Sequence, residues 1–279
     1  MPLKSILRRS YIFDERSARR AREYLERLHA ELTRRLVENI GDKWDLIHYE
    51  AVRRAATEML AEIERTLQAD LSNVITGAAE IGQQLADENL GDLISLFSAP
   101  RLSSQFINEA LAASATLIRG ITEDIRKKID LEIDQGIQGL KTGIQVIKAI
   151  ADVKDFTGIA FKTAEQRAED IFRTEASRII NMATIARYRE YNEQAEQTLL
   201  KYWLATADSR TRETHLQIWK ATDPAQGGKP IAFEKDFKLA DGEKAFGPQA
   251  PTLSAGNVIN CRCRLIVITK EKYLEMIGG

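Results

Sequence analysis

The stretch NVINCRCRLIVIT, residues 257–269, decides the fold of the C-terminal part of the chain. It holds both cysteines of the 279-residue protein, Cys261 and Cys263, one residue apart. The apolar run that follows them is rich in β-branched residues and predicts a strand. Because residues i and i+2 of a strand point to the same face, we expect the two thiols to project together. Arg262 and Arg264 would then form a basic outer face on the opposite side.

Two further residues with metal-binding side chains lie upstream, across a long loop. Asp208 ends a strand-like run that begins near residue 199, and His215 follows seven residues later in a short predicted helix. Residues 220–256 contain four of the six prolines and five glycines, which predicts a loop. One histidine and two cysteines, with a carboxylate or water as fourth group, make a chemically sensible tetrahedral zinc set. The predicted metal ligands are His215, Cys261, Cys263 and Asp208, around a structural zinc that ties the ends of the loop together.

Other interpretations of these residues stay open at the level of sequence. The cysteines are also compatible with small buried hydrophobes or with a strained disulfide between them. His215 would then simply hydrogen-bond Asp208. A catalytic interpretation takes a cysteine as nucleophile, His215 as base and Asp208 as orienting group. The single residue between the cysteines is a shorter spacing than in common zinc patterns, so the pattern alone does not decide.

The first two-thirds of the chain predicts helices, since Pro100 is the only proline between residues 3 and 223. We expect a first helix to begin near Asp14, whose carboxylate would cap its first turn, and to end at Gly41. Apolar residues then recur every three or four positions, which predicts a second helix over about 46 to 88.

Further helices are predicted downstream, separated by turn-forming segments. The expected order is a break at 97–104, a helical region over 103–153, a loop at 156–163 and a helix to about residue 197. Gly136, Gly139 and Gly143 lie inside the second of these segments. Their spacing favours either the close approach of another helix or a hinge.

The predicted fold class is mainly α. A long helical N-terminal region is followed by a small α+β C-terminal module with a long Pro/Gly-rich loop. We place an elongated helical docking region at residues 1–160 and the module at residues 161–279. With 44% hydrophobic and 29% charged residues, the composition is that of a globular chain rather than a disordered one.

Charge is balanced over the whole chain, with a formal net charge of −1, but not along it. Residues 1–36 carry ten basic and five acidic residues, a local net charge of +5. One interpretation is contact with phosphate or with an acidic protein surface, and the other is a solvated helix face with i,i+4 ion pairs. The candidate contact residues are Arg8, Arg9, Arg16, Arg19 and Arg20. No apolar run reaches membrane-spanning length and no signal-peptide core is evident, so we expect synthesis in the cytoplasm without stable membrane insertion.

Two blocks of sequence carry a family resemblance. YWLATADSRTRETH, residues 202–215, and INCRCRLIV, residues 259–267, resemble the phage Mu F-like head morphogenesis family. The upstream segment RTEASRIINMA, residues 173–183, is similar to the helix that enters the module in that family. On this chain the pattern falls on Asp208, Arg212, His215, Asn260, Cys261, Arg262 and Cys263, preceded by Thr174, Glu175, Arg178 and Asn181.

The resemblance implies a minor head protein of a tailed phage, and we expect no enzymatic activity. Such a protein is made in the host cytoplasm and incorporated into the virion, in the capsid interior or at the portal vertex. Its implied partners are the portal protein and other head proteins, with packaged double-stranded DNA as a further contact, and its implied roles are head assembly, DNA packaging or genome ejection. The alternative function is a metal- or thiol-dependent hydrolase acting on peptide or cell-wall material, and an anchor for the genome end ranks third.

Overall fold

A computed structural model describes residues 2–38, 46–90, 104–151, 161–194 and 199–278. The helices are α1 (Pro2–Glu38), α2 (Leu46–Leu90), α3 (Ser104–Ile137), α4 (Gly143–Ala151), α5 (Phe161–Gln194), α6 (Glu213–Thr222), α7 (Ala255–Val258) and α8 (Lys270–Gly278). The strands are β1 (Leu199–Leu204), β2 (Ile231–Ala232), β3 (Phe237–Lys238), β4 (Lys244–Ala245) and β5 (Arg264–Thr269). The predicted class, mainly α with a small α+β module at the C-terminal end, is confirmed.

The helix boundaries differ from the predicted ones in two instructive places. Helix α1 already begins at Pro2, so Asp14 lies inside it and is not an N-cap. The region 103–153 is two helices separated by residues 138–142, where Gly139 turns the chain with a φ of +75°. Helix α2 runs without a break, as predicted. The predicted stop at Gly41, the break at 97–104 and the loop at 156–163 fall wholly or largely outside the described residues.

The described residues group into two compact units, and each unit combines segments that are distant in sequence. The module unit takes its residues from Met1–Glu15, Val74–Asn108 and Arg173–Gly279. The helical unit takes its residues from Arg16–Asn73 and Glu109–Phe172. The start of α1 and the end of α2 group with the C-terminal residues. The division into a docking region at residues 1–160 and a module at residues 161–279 stays a prediction.

A three-stranded antiparallel sheet in the order β2-β1-β5 forms the centre of the module unit. Strands β1 and β5 pair along their whole length, from Leu199 opposite Thr269 to Leu204 opposite Arg264. Side chains pack on both faces of this pair, and four successive residues at the start of β5 are fully buried. Burial on both faces explains why β5 reads as a continuous apolar run instead of an alternating one.

The Pro/Gly-rich loop is folded onto this sheet around Lys201, a fully buried residue of β1. The Lys201 ammonium donates a hydrogen bond of 2.8 Å to the carbonyl oxygen of Phe246. Its Nζ also lies 3.1 Å from the ring centroid of Phe246, and 5.6 and 5.2 Å from those of Phe233 and Phe237. The carbonyl contact and the packing of the side chain against the rings therefore hold three phenylalanines of the loop around one lysine.

A buried ion pair joins the first helix to the last strand of the module unit. Arg264 is fully buried and its guanidinium contacts the Asp14 carboxylate, while further hydrogen bonds reach the hydroxyls of Ser10 and Ser177. Ser10 and Asp14 lie one turn apart on α1, so their side chains lie on the same face of the helix. The predicted basic outer face at Arg264 is therefore wrong: the residue points inward, because these partners compensate its charge.

Removal of Asp14 tests how strongly the module unit depends on this pair. Burial raises the pKa of Asp14 to about 6 even though Arg264 pulls it down, so the carboxylate is charged at pH 7.5. Asp14→Ala would leave the Arg264 guanidinium buried without its counter-charge, and we expect a loss of about 3–5 kcal/mol in the free energy of unfolding. Urea denaturation of the full chain measures it. Glu26→Ala is the control on the same helix, because the Arg22–Glu26 pair is exposed and should cost about 0.5 kcal/mol. Equal effects of the two substitutions would contradict the role of Asp14.

Stability should also depend on pH through Lys201. Burial lowers the pKa of Lys201 to about 7, although Asp236 and Glu234 act in the opposite direction. Between pH 7 and about 10 the unfolded chain keeps a proton that the folded chain has lost, so the free energy of unfolding rises with pH, by at most about 1.4 kcal/mol per unit. Lys201→Met should flatten this rise, whereas Lys238→Met, at an exposed position of β3, should not. An unchanged slope in the Lys201→Met variant, measured by urea denaturation at several pH values, would refute the assignment.

Candidate metal centre

Three of the predicted ligands meet where helix α6 packs near the start of β5. His215 lies in the first turn and a half of α6, and the two cysteines lie just before β5, which begins at Arg264. The cysteines therefore precede the strand, whereas the sequence predicts that they open it. Asn260 adopts a φ of 57° and the Cys261 amide donates to the carbonyl of Val258, so a turn aims the two thiols at the histidine.

The distances within this cluster fit a tetrahedral metal. The Nδ1 atom of His215 lies 3.6 Å from the sulfur of Cys261 and 3.5 Å from that of Cys263. Metal–sulfur bonds of about 2.3 Å and metal–nitrogen bonds of about 2.0–2.1 Å at a tetrahedral angle separate sulfur from nitrogen by about 3.5–3.6 Å. The three ligand atoms lie within 4.8 Å of one another and all three residues are buried. The cluster can therefore hold a metal ion.

The two thiols are free and share a hydrogen bond. A hydrogen bond from the Cys263 thiol holds the pKa of Cys261 well below its usual range, and His215 lowers it further. The same hydrogen bond raises the pKa of Cys263, which retains the proton. A metal ion would replace the protons of these thiols, because the thiolate is the form that binds a metal.

Helix α5 positions the backbone of the cysteine segment through three polar side chains. Ser177 donates a hydrogen bond of 2.9 Å to the carbonyl oxygen of Cys261. The amide of Asn181 donates to the carbonyl oxygen of Cys263 at 2.9 Å and accepts from the amide of Leu265 at 3.2 Å, as a neighbouring strand would. The Thr174 hydroxyl accepts from the Asn260 amide at 3.0 Å. Positions 174, 177 and 181 share one helix face. The helical spacing from Thr174 and Asn181 is therefore the sequence signal that could have identified Ser177 as a third contact.

Two more residues complete the surroundings of the cluster. Gln249, in the long loop, donates a hydrogen bond of 2.8 Å to the carbonyl oxygen of Cys261. Trp203 of β1 packs its ring edge-on against His215, with 5.2 Å between ring centroids. The Nε2 atom of His215 is buried and has no hydrogen-bond partner among the described residues. Neither Gln249 nor Trp203 follows a spacing that points to the cysteines, so the sequence did not reveal them.

Asp208, the fourth predicted ligand, is not brought to the cluster. Both of its carboxylate oxygens accept hydrogen bonds from the Arg262 guanidinium, at 2.8 and 2.6 Å. This bidentate contact holds the pKa of Asp208 at about 2. The part of the chain that the structure describes offers only His215, Cys261 and Cys263 as a group of metal ligands. Arg262 therefore binds the Asp208 carboxylate, which the sequence predicts as a metal ligand.

The five candidate contact arginines are all exposed on helix α1. Arg9 donates to the side-chain oxygen of Gln84. The other four, Arg8, Arg16, Arg19 and Arg20, form no ion pair with any described residue. The alternative interpretation, ion pairs along the helix, applies instead to Arg22 with Glu26 and to Arg34 with Glu31.

Comparison with known proteins places this fold and site in a family. The model of the family described as Phage Mu protein F like protein matches residues 127–266, half of the chain. The chain belongs to this family. It is accordingly a phage head-related protein, which implies a place in the virion.

A curated relative is similar to part of the chain. The chain is 30% identical over 127 residues to the NAD(+)–arginine ADP-ribosyltransferase EFV of Enterococcus faecalis. The match covers 46% of this chain and 24% of that protein, so the chain spans about a quarter of the relative's length. No solved structure matches. In the described residues, no helix combines the length and the apolar character that crossing a membrane requires.

Metal content of single variants tests which residues are ligands. The reduced wild-type protein should retain about one divalent metal ion per chain after gel filtration. Cys261→Ser and Cys263→Ser should each lower this to well under half, because each removes one of three ligands. Asp208→Asn should retain the metal, since its carboxylate contacts Arg262 instead. Mass spectrometry of the metal measures the ratio, with circular dichroism as the check on folding. Loss of metal in folded Asp208→Asn together with retention in Cys263→Ser would contradict the assignment.

Proposed function

We propose that this chain is a minor head protein that associates with the portal vertex of the virion. There it would act in head assembly, DNA packaging or genome ejection. The observation that carries the proposal is the family match, which runs from the end of α3 into β5. The proposed partners are the portal protein and other head proteins, with packaged double-stranded DNA as a further contact.

The exposed arginines of α1 support docking onto an anionic surface. Arg16, Arg19 and Arg20 are spaced i, i+3, i+4 and so lie on one face of the helix. Since they have no acidic partner among the described residues, their guanidinium groups are available for carboxylates of a protein or phosphates of DNA. A long helix with a basic face fits an interaction role better than a small-molecule site would.

We further propose that the metal is zinc and that its role is structural. Histidine and cysteine are the donor types that zinc prefers, and the distances suit its tetrahedral geometry. Bound zinc would join α6 to the segment before β5 and close the long loop between them. Both thiols are 2% exposed, so a peptide has no access to a sulfur nucleophile, and we propose no enzymatic activity. The transferase activity in the relative's name is not carried over, because the match covers so little of that protein.

Charge reversal at the arginine face tests the docking proposal. In particles assembled with the triple variant Arg16→Glu, Arg19→Glu, Arg20→Glu, we expect at least tenfold fewer copies of the protein and loss of co-purification with the portal protein. The control carries the same charge change at exposed positions of other helices, Arg65→Glu, Lys127→Glu and Lys148→Glu, and should be incorporated normally. Quantitative mass spectrometry of purified heads gives the copy number.

Two outcomes would contradict the proposal. One is equal incorporation of the two triple variants, and the other is normal infectivity of particles that lack the protein altogether. Contact with DNA is tested separately, by measuring how DNA affinity depends on salt concentration. Each lost phosphate contact makes the negative slope of log affinity against log salt shallower by about 0.9. If the slope of the triple variant is shallower by roughly three while its co-purification with the portal protein is unchanged, the three arginines contact DNA instead of the portal protein.

A further inference from the structure

The metal cluster supplies three ligands, whereas zinc takes four. Structural zinc sites are closed by a fourth protein ligand, and sites with three protein ligands keep a position for water or another small molecule. Asp208 is held away by Arg262, with both carboxylate oxygens engaged. The fourth position must therefore be filled from outside the described side chains.

A small cleft reaches the cluster. The three ligand residues are part of its wall, and the rest of the wall is polar, including Thr206, Thr211 and Arg210. Its inner end has room for about one molecule the size of water, and from there the cleft opens to solvent, so a slim anion can bind through one end atom. A bulky ligand is therefore excluded, while hydroxyl and guanidinium groups are at hand to hydrogen-bond a small one.

The charges around the cleft favour an anionic ligand. A dication with two thiolates and a neutral imidazole carries no net charge, so the metal site itself does not repel an anion. Arg262 is matched by Asp208, but Arg210 is more loosely compensated: its nearest carboxylate oxygens, on Glu15 and Asp208, are each 3.8 Å away. Its side chain is 63% exposed, which leaves a cation at the cleft.

We propose that the fourth position of the metal faces this cleft and is held by an exchangeable water that small anions displace. The inference rests on the metal binding proposed above. It makes the centre a structural clip with one open position, and the chemical class of its exchangeable ligand is a small monodentate anion.

The full chain loaded with Co²⁺ tests the proposal. Cobalt should give a thiolate-to-metal absorption band together with visible bands that report coordination. Azide should shift the visible bands in a saturable way, whereas pivalate, which is too bulky for the cleft, should leave them unchanged. Arg210→Gln should weaken azide binding at least threefold while metal content stays the same, because Arg210 is not a ligand. Lys235→Gln, at an exposed position of the long loop, is the matched control and should bind azide like the wild type.

X-ray absorption of the zinc-loaded protein gives an independent measurement. We expect two sulfur and two nitrogen or oxygen neighbours, only one of them an imidazole. A third sulfur, a second imidazole, or visible bands that azide does not move would overturn the open position while leaving metal binding intact. A shift with pivalate would overturn the size limit. Failure to take up cobalt at all would overturn both this inference and the proposed zinc, so the two failures are distinguishable.

Discussion

The contact between Arg264 and Asp14 is the constraint on which the module unit depends. A guanidinium with no exposure to water is costly unless its charge and its N–H groups are matched. Here one carboxylate and the hydroxyls of Ser10 and Ser177 match them. Two of these three partners lie on α1, so the first helix has to pack against the sheet for β5 to be buried. Leu3 and Leu7 then cover the apolar face of the sheet that carries Ile266.

The same residue links this packing to the metal centre. Arg264 directly follows Cys263, and Ser177 contacts both the arginine and the carbonyl oxygen of Cys261. The backbone of the cysteine segment therefore determines the direction of the thiols. On one side, α5 and the buried Arg264–Asp14 pair hold this backbone in place. Trp203 and His215 close the other side. Such support is what a metal site requires, because its ligands have to be oriented before the ion arrives.

The sequence predicted the fold class and the convergence of His215 with the two cysteines, because residue type and spacing carry that information. It failed wherever a partner was distant along the chain. Asp208 looked like a ligand because Arg262, 54 residues away, could not be seen to engage it. The alternation of side chains along a strand predicted that Arg264 is exposed. In the structure β5 is buried on both faces, and the Asp14 carboxylate compensates the charge of Arg264. Asp14 itself looked like a helix cap for the same reason, and Gln249 follows no periodic pattern at all.

Biosynthesis meets the link between Asp14 and Arg264 in a particular order. The two residues are separated by 250 positions, so the carboxylate leaves the ribosome long before its partner exists. At ~5–20 residues per second, that wait is roughly 12–50 s. During this time the apolar side chains of α1 that later cover the sheet have no native surface to pack on. The module unit can therefore close only after translation has passed Arg264, and its assembly depends on the last-made strand meeting the first-made helix.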